Sequence, residues 1–340
     1  MITIIILLAL VYAFLNGFRD SASILAGVIA SRAMHPRRAL FLVALAEFCA
    51  PFLFGAAVAR TLATGLITPG DVNVEMIVAA TAATLLWTVF AWLRGIPSSS
   101  SQALIGSLIG AALFSEGGGA IQISGLYGVV LPMFIAPPLG LLMGYLVMKF
   151  LLWIFASATP RVNSLFRRLQ VLTMVGLALS HSANDSGKSI GIIMLGLVMM
   201  NKTDSFTVPL AVTTACAAAI GLGAVSGDWR LIRTLGGKIF PIRPINALAS
   251  QSASAVVIMG AALAGAPVST SQVISMALMG SGAAERVNKV RWQVGIEMLA
   301  IWGLTIPVNM LISALVLWLS SPEYPVRTAL VRFITHLFSG

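Results

Sequence analysis

The chain has 340 residues, of which 58% are hydrophobic and only 9% are charged, and its mean hydropathy is +0.96. This composition excludes an ordinary soluble domain, in which about 25% of residues are charged. The net charge of +10 comes from Lys and Arg in short connecting segments, which is typical of cytoplasmic loops and argues against nucleic-acid binding. Because apolar runs of helix length recur along the chain, we predict an all-α polytopic membrane protein embedded in a lipid bilayer.

A polar segment interrupts the first apolar region, residues 2–30, and carries Arg19, Asp20 and Ser23. A charged side chain at the bilayer centre costs at least about 2.5 kcal/mol on insertion scales, so two charges at this place need a function. We predict a discontinuous membrane helix whose loosened middle binds a polar ligand or an ion.

Three further helices are predicted in the first half, at about 39–59, 75–93 and 123–156, the last interrupted by prolines. Glu47 lies in the middle of the first of these, among apolar neighbours. A buried carboxylate there is predicted to be either a hydrogen-bond partner of the broken helices or an accessory proton site.

A short apolar run, residues 103–114, follows Pro97 and a cluster of hydroxyl residues. Twelve residues are too few to span the membrane at about 1.5 Å per residue, so we predict a re-entrant half-helix that begins at the cluster. Its N-terminal N–H groups and side chains are suited to an oxyanion. The predicted ligands are Ser99, Ser100, Ser101 and Gln102.

The apolar run 171–200 contains His181, Asn184, Asp185 and Lys188. We predict a second discontinuous helix with a binding function here. The alternative is a structural ion pair between Asp185 and Lys188, which are neighbours at i,i+3 on one helical face. Helices at about 207–225, 245–264 and 293–319, a basic loop at 227–244 and a second short apolar piece after Pro267 complete the pattern.

The second half repeats the first. Asp185 lies 165 residues after Asp20, and Gln272 lies 170 residues after Gln102, so the offset changes little between the two markers. Each half contains a charged break, helices, a proline, a hydroxyl cluster with Gln, and a short helix. We therefore predict two inverted-topology repeats with broken helices and re-entrant helical hairpins. The second set of predicted substrate ligands is Ser269, Thr270, Ser271 and Gln272.

These boundaries predict a first transmembrane repeat at 1–160, a basic connector at 161–170, a second repeat at 171–320 and a C-terminal tail at 321–340. The apolar runs and the basic residues of the loops predict a multi-pass membrane protein, and the family resemblance described next implies a bacterial cytoplasmic membrane. No metal site and no cofactor are expected, and a homodimer is left open.

The segments 17–23, 182–188, 97–102 and 267–272 resemble the paired signatures of the inorganic phosphate transporter (PiT) family, bacterial type. This resemblance implies a secondary transporter of inorganic phosphate, or of sulfate, which some relatives carry. In sodium-coupled members the Asn and Asp groups are thought to ligate Na⁺. Here Arg19 and Lys188 each stand where the usual signature has Asn, and a Lys at the position of Lys188 resembles the proton-coupled branch.

The resulting hypothesis is phosphate import by H⁺ symport with alternating access, with Asp20 and Asp185 as proton carriers. A Na⁺-coupled symporter and a sulfate permease of the same family are the alternatives, and a passive anion channel is also left open. An intramembrane serine hydrolase is disfavoured because no strained Gly-x-Ser-x-Gly turn is present. The coupling-ion or proton residues are predicted to be Asp20, Asp185, Asn184, Arg19, Ser23, Lys188 and Glu47.

Overall fold

The computed structural model describes residues 1–67, 73–200, 206–227 and 242–320. The predicted tail at 321–340 and most of the predicted loop at 227–244 lie outside these residues. The described residues form the following eleven α-helices: α1 Ile2–Ala30, α2 Pro36–Phe54, α3 Ala57–Gly65, α4 Val74–Arg94, α5 Ser100–Glu116, α6 Ile123–Ile154, α7 Val162–Met199, α8 Leu210–Ser226, α9 Pro244–Leu263, α10 Thr270–Glu285 and α11 Trp292–Ser320.

The predicted all-α polytopic membrane fold is confirmed. Among the described residues, α1, α4, α6, α9 and α11 are each long and apolar enough to cross a membrane, and the pair α2 and α3 adds a broken span bent by 67°. The bend follows Gly55, which has a φ of 73° that favours glycine. The sequence predicted a single helix at about 39–59, so this part of the prediction was wrong.

The two breaks expected at Asp20 and Asp185 are absent, since α1 and α7 run through these residues without interruption. The prediction was wrong because side chains from other segments bind these polar groups, and the helices do not need to unwind. The three prolines Pro132, Pro137 and Pro138 likewise leave α6 continuous. Residues 162–170, placed in the predicted connector, form the first turns of α7.

Local sequence accounts for the ends of the helices that carry the site. Asn73 accepts a hydrogen bond from the Met76 N–H at the start of α4, and Gly95 ends this helix in the left-handed conformation. Ser99 is the N-cap of α5, where its hydroxyl accepts a hydrogen bond from the Gln102 N–H at 3.1 Å. The chain therefore enters α5 with its serines at the buried end.

The two halves exchange their packing partners. The short helix α5 packs against α11, and its counterpart α10 packs against α6. Gly110 and Gly280 occupy equivalent places in these contacts, because a Cβ atom at Gly110 would meet the Met310 carbonyl and one at Gly280 would meet the Leu141 carbonyl. In the same way α1 packs on α8 while α7 packs on α2. These paired contacts agree with the prediction of two inverted-topology repeats.

Candidate functional site

Two buried helix beginnings meet at the centre of the described structure. We call residues 97–102 the first tip and residues 267–272 the second tip. The Gln272 side-chain amide donates a hydrogen bond to the Gln102 side-chain carbonyl at 3.0 Å, and the Ser101 hydroxyl donates to the Val268 carbonyl at 3.0 Å. Each helix beginning carries a partial positive charge of about +0.5, so the two tips together favour an anion.

A histidine lies among three carboxylates beside the tips. His181 Nδ1 is 2.9 Å from Glu47 Oε1, and its Nε2 is 3.0 Å from Asp185 Oδ2 and 3.6 Å from Asp20 Oδ2. All four side chains are buried. The residues come from α1, α2 and α7, so three helices assemble this group.

The second tip contacts this group through Thr270. The Thr270 hydroxyl is 3.3 Å from Asp20 Oδ2 and 3.5 Å from Asp185 Oδ2, which makes it the hydroxyl shared by both aspartates. The oxygen and nitrogen ligand atoms of Asp20, His181 and Asp185 all lie within 4.8 Å of one another. These three residues could therefore hold a cation.

Two buried cations complete the centre. The Lys188 ammonium donates hydrogen bonds to Asp185 Oδ1, to the Ser101 hydroxyl and to the Val268 carbonyl. The Arg19 guanidinium donates to the Ser98 carbonyl at 3.2 Å, and within the described part of the chain no carboxylate oxygen lies within 4.0 Å of it.

Asn184 and Tyr12 hold the tips against the helices. The Asn184 side chain donates to the Ala266 carbonyl at 3.0 Å and accepts from the Val268 N–H at 3.2 Å. The Tyr12 hydroxyl donates to the Ser100 carbonyl at 3.3 Å. Because α7 and α1 bind the backbone of one tip each, the tips are fixed relative to the charged side chains.

Comparisons with known proteins give the family of this chain. Residues 16–313 match the model of the phosphate transporter family. A protein of Rhizobium meliloti named a probable low-affinity inorganic phosphate transporter is 38% identical over 313 residues, which cover 92% of this chain and 94% of that protein. The chain belongs to the phosphate transporter family. It is a multi-pass membrane transporter and not an enzyme, so the hydrolase alternative is excluded.

Other relatives of this family member agree. A Bacillus subtilis protein with the same descriptive name is 34% identical over 316 residues, covering 92% of this chain and 95% of that protein. A solved structure titled "The sodium-dependent phosphate transporter" has the same fold, with a TM-score of 0.83 at 20% identity over 94% of this chain and 98% of that chain. This likeness concerns the fold.

Within this phosphate transporter family member, most of the predicted site residues come together. The described side chains or backbone groups of the following predicted residues lie in the network above: Arg19, Asp20, Glu47, Ser99, Ser100, Ser101, Gln102, Asn184, Asp185, Lys188, Thr270 and Gln272. Ser269 is the buried N-cap of α10, without a side-chain capping bond. Ser23 and Ser271 are only half-buried, and the structure places neither side chain in this network.

His181 and Tyr12 were not among the predicted site residues. His181 was visible in the sequence as a histidine one helical turn before Asp185, but its contacts with Glu47 and Asp20 join residues that are far apart in the chain. Tyr12 has no such signal, because it lies in an apolar run in which an aromatic residue is ordinary. The Ser98 hydroxyl, buried without a hydrogen-bond partner among the described residues, was also missed.

Proposed function

We propose that the protein imports inorganic phosphate by H⁺ symport with alternating access. The observation that carries this proposal is the position of His181, which lies in contact distance of Asp20, Glu47 and Asp185 in a buried centre next to two helix beginnings. Histidine is the side chain whose protonation changes most readily near neutral pH, and carboxylates are its natural proton partners.

The anion is proposed to bind between the two tips. Helix beginnings supply N–H donors, and the hydroxyls and amides of the tips add further donors without adding charge. Arg19 supplies a guanidinium that no described carboxylate neutralises, which suits a planar, two-point contact with a tetrahedral oxyanion. Lys188 differs, because Asp185 already neutralises it.

The proton is proposed to be carried on the His181 cluster. Three carboxylates in the centre outnumber the two permanent cations, Arg19 and Lys188, by one. A proton on His181 brings the buried charges to neutrality, which a low-dielectric interior favours. When an anion reaches the neighbouring tips it adds negative charge and strengthens retention of the proton, so both species are expected to cross together.

Na⁺ coupling is the second candidate, and a specific observation favours it. Asp20, His181, Asp185 and the Thr270 hydroxyl form an oxygen-rich group of a size that could hold a cation. The structural neighbour, moreover, is titled a sodium-dependent phosphate transporter. Sulfate remains the alternative anion. Phosphate keeps an O–H donor at neutral pH that an aspartate could accept, whereas sulfate has none, so phosphate suits Asp20 and Asp185 better.

Phosphate uptake into proteoliposomes tests the coupling. We expect an inwardly directed proton gradient, with the outside more acidic, to drive accumulation of radiolabelled phosphate in the absence of Na⁺. Unlabelled sulfate should compete weakly. In the His181→Gln variant the response to the pH gradient should be lost, while exchange of internal for external phosphate continues, because exchange needs no net proton movement. His35→Gln is the matched control, since His35 is exposed at the start of α2.

Several results would contradict the proposal. Uptake driven by a Na⁺ gradient and indifferent to the pH gradient would favour the second candidate. Phosphate that never accumulates beyond equilibrium with its own electrochemical gradient would identify a channel. Full pH-driven accumulation in His181→Gln would show that this histidine does not carry the proton.

A further inference from the structure

A basic cavity lies where α6 and α10 end and α9 begins. Its volume is about 830 Å³, and it is lined by Leu152, Arg243, Glu285, Arg286, Asn288 and Lys289. Three of these side chains are positive and one is negative, so the lining carries a net charge of +2. The cavity opens at the surface, since Arg243, Arg286 and Asn288 are exposed. None of the residues of the two tips lines it, so it is separate from the buried centre.

The positive side chains of the cavity differ in what they contact. The Glu285 carboxylate forms ion pairs with Arg243 and, at 2.6 Å, with Lys289, and it accepts a hydrogen bond from the Asn246 side chain at 2.7 Å. By contrast, no carboxylate oxygen of the described residues lies within 4.0 Å of the Arg286 guanidinium. A guanidinium in this state is suited to a two-point contact with a phosphate group from outside the protein.

The cavity lies at the basic end of the helix bundle. The Ser31 hydroxyl donates to Gln170 Oε1 at 2.6 Å and joins the end of α1 to the start of α7. Phe166, near the start of α7, packs in one apolar cluster with Ile245 of α9 and Ala284 of α10. The positive residues in or beside these helix ends include Arg32, Arg37, Arg38, Arg161, Arg167, Arg168, Arg243, Arg286 and Lys289. Such a concentration of Lys and Arg marks the cytoplasmic side of a membrane protein, where the leaflet carries anionic lipids.

An apolar strip of α6 leads from the cavity into the membrane. Leu152 lines the cavity, and its neighbour Trp153 has 75% of its surface exposed. Further exposed apolar side chains follow at intervals of three or four residues, which places them on one face of the helix. These are Phe150, Leu146, Leu142 and Leu139. Trp292 at the start of α11 is also exposed, and tryptophans are typical of the membrane interface. A phosphate group in the cavity would therefore lie at headgroup depth, beside a surface that acyl chains can cover.

We propose that this cavity binds the headgroup phosphate of an anionic phospholipid of the cytoplasmic leaflet. Arg286 supplies paired N–H donors to the phosphate oxygens, and the Asn288 amide adds a donor without charge. Arg243 and Lys289 contribute positive charge while Glu285 holds them in place. The adjoining apolar strip favours a lipid over a free anion, because only a lipid has chains to lay on it. The inference is independent of the coupling ion.

Lipid binding to the purified full chain in a neutral detergent tests this proposal. Native mass spectrometry counts bound dioleoyl phosphatidylglycerol, with dioleoyl phosphatidylcholine as the zwitterionic lipid of the same chain length. We expect the wild type to retain phosphatidylglycerol preferentially, and Arg286→Gln to bind it about tenfold more weakly. Phosphatidylglycerol should also raise the Tm of the wild type by about 2 °C or more relative to phosphatidylcholine, and the variant should lose this response.

Matched variants distinguish a site from a generally basic surface. Arg168→Gln makes the same change at an exposed position of the same end that does not line the cavity, and it should bind phosphatidylglycerol as the wild type does. Arg286→Lys keeps the charge and should retain the preference for this lipid. Asn288→Asp introduces a carboxylate into the cavity and should weaken binding even if Arg286→Gln fails to fold. Its control is Asn163→Asp, at an exposed position near the start of α7.

Three results would overturn the proposal. The first is equal retention of phosphatidylglycerol by the wild type, Arg286→Gln and Asn288→Asp. The second is an equal loss in Arg168→Gln, which would show that the lipid responds only to the overall charge of this end. The third concerns inorganic phosphate, which should raise the Tm of the wild type and of Arg286→Gln equally. If Arg286→Gln loses the response to phosphate and keeps the response to the lipid, the cavity takes a free anion.

Discussion

The two tips have the same backbone plan, but the positive side chains that contact them differ. At the second tip this side chain is Lys188 of α7, which is neutralised by Asp185 and hydrogen-bonded to both tips. At the first tip it is Arg19 of α1, which contacts only the Ser98 carbonyl among the hydrogen-bond acceptors that the structure describes. The repeat thus provides one tip with a satisfied cation and one whose cation remains able to attract an anion.

The largest effect should come from breaking the neutralised pair. Asp185→Asn leaves the buried Lys188 ammonium without its counter-charge, and removal of one partner of a buried ion pair costs about 3–5 kcal/mol. Asp20→Asn should cost less, about 1 kcal/mol, because Asp20 accepts one long hydrogen bond, from Thr270, and lies 3.6 Å from His181, which keeps Glu47 and Asp185 as closer partners. Thermal unfolding of the purified variants measures the difference.

A double substitution separates lost charge balance from lost shape. Lys188→Met combined with Asp185→Asn removes both charges, so the double variant should be more stable than Asp185→Asn alone. If the double variant is as unstable as the sum of the single losses, the two residues do not form an energetically coupled pair, and the contrast between the two tips has another cause.

An intermediate and symmetric effect is expected where the short helices pack. Gly110→Val and Gly280→Val each force a side chain against a backbone carbonyl of α11 or α6, and overpacking of this kind costs about 1–3 kcal/mol. The two losses in unfolding free energy should be similar if the repeats share this packing. Gly260→Ala is the control, because a Cβ atom there meets nothing within 4 Å and alanine favours a helix.

The smallest effect concerns the far ends of the two short helices. Burial raises the pKa of Glu285 at the end of α10, but hydrogen bonds from Arg243, Lys289 and Asn246 outweigh it and hold this pKa below its ordinary value. Glu116 at the end of α5 is exposed and accepts a hydrogen bond from the Ser115 hydroxyl. Glu285→Gln should therefore destabilise the protein by about 1 kcal/mol or less, and Glu116→Gln by less still.

The stabilisation by Glu285 should depend on pH in a definite direction. A carboxylate with a lowered pKa in the folded protein stabilises it above the pKa of the unfolded chain, and the stabilisation disappears as the pH falls through the folded-state value. The Tm difference between wild type and Glu285→Gln should consequently be present at pH 7 and shrink below about pH 4.5. A difference that grows in acid would contradict the assigned contacts.

The sequence predicted the helices and the two paired hydroxyl clusters because both leave local or repeated signals. Long apolar runs predicted α4, α9 and α11 within one or two residues at each end. Gln102 and Gln272, which the sequence paired as repeat positions, form a direct hydrogen bond. Residue types were sufficient in these cases, because the signal for a membrane helix or for a repeat is spread over many residues of the segment.

The same reasoning failed where distant contacts decide local structure. Asp20 and Asp185 suggested breaks, yet Asn184 and Lys188 bond to backbone groups some 80 residues away and α7 stays helical. The bend after Gly55 was missed because the helix was predicted from an apolar run that continues on both sides of this glycine. His181 was not predicted as a site residue because its partner Glu47 belongs to the other half of the chain.

The exchange of packing partners bears on how the protein is assembled in the membrane. Because α5 lies on α11 and α10 lies on α6, a polypeptide ending after α6 would leave Gly110 of α5 and the Leu141 carbonyl of α6 without their packing partners. Neither short helix therefore completes its packing until the other half of the chain lies beside it in the bilayer.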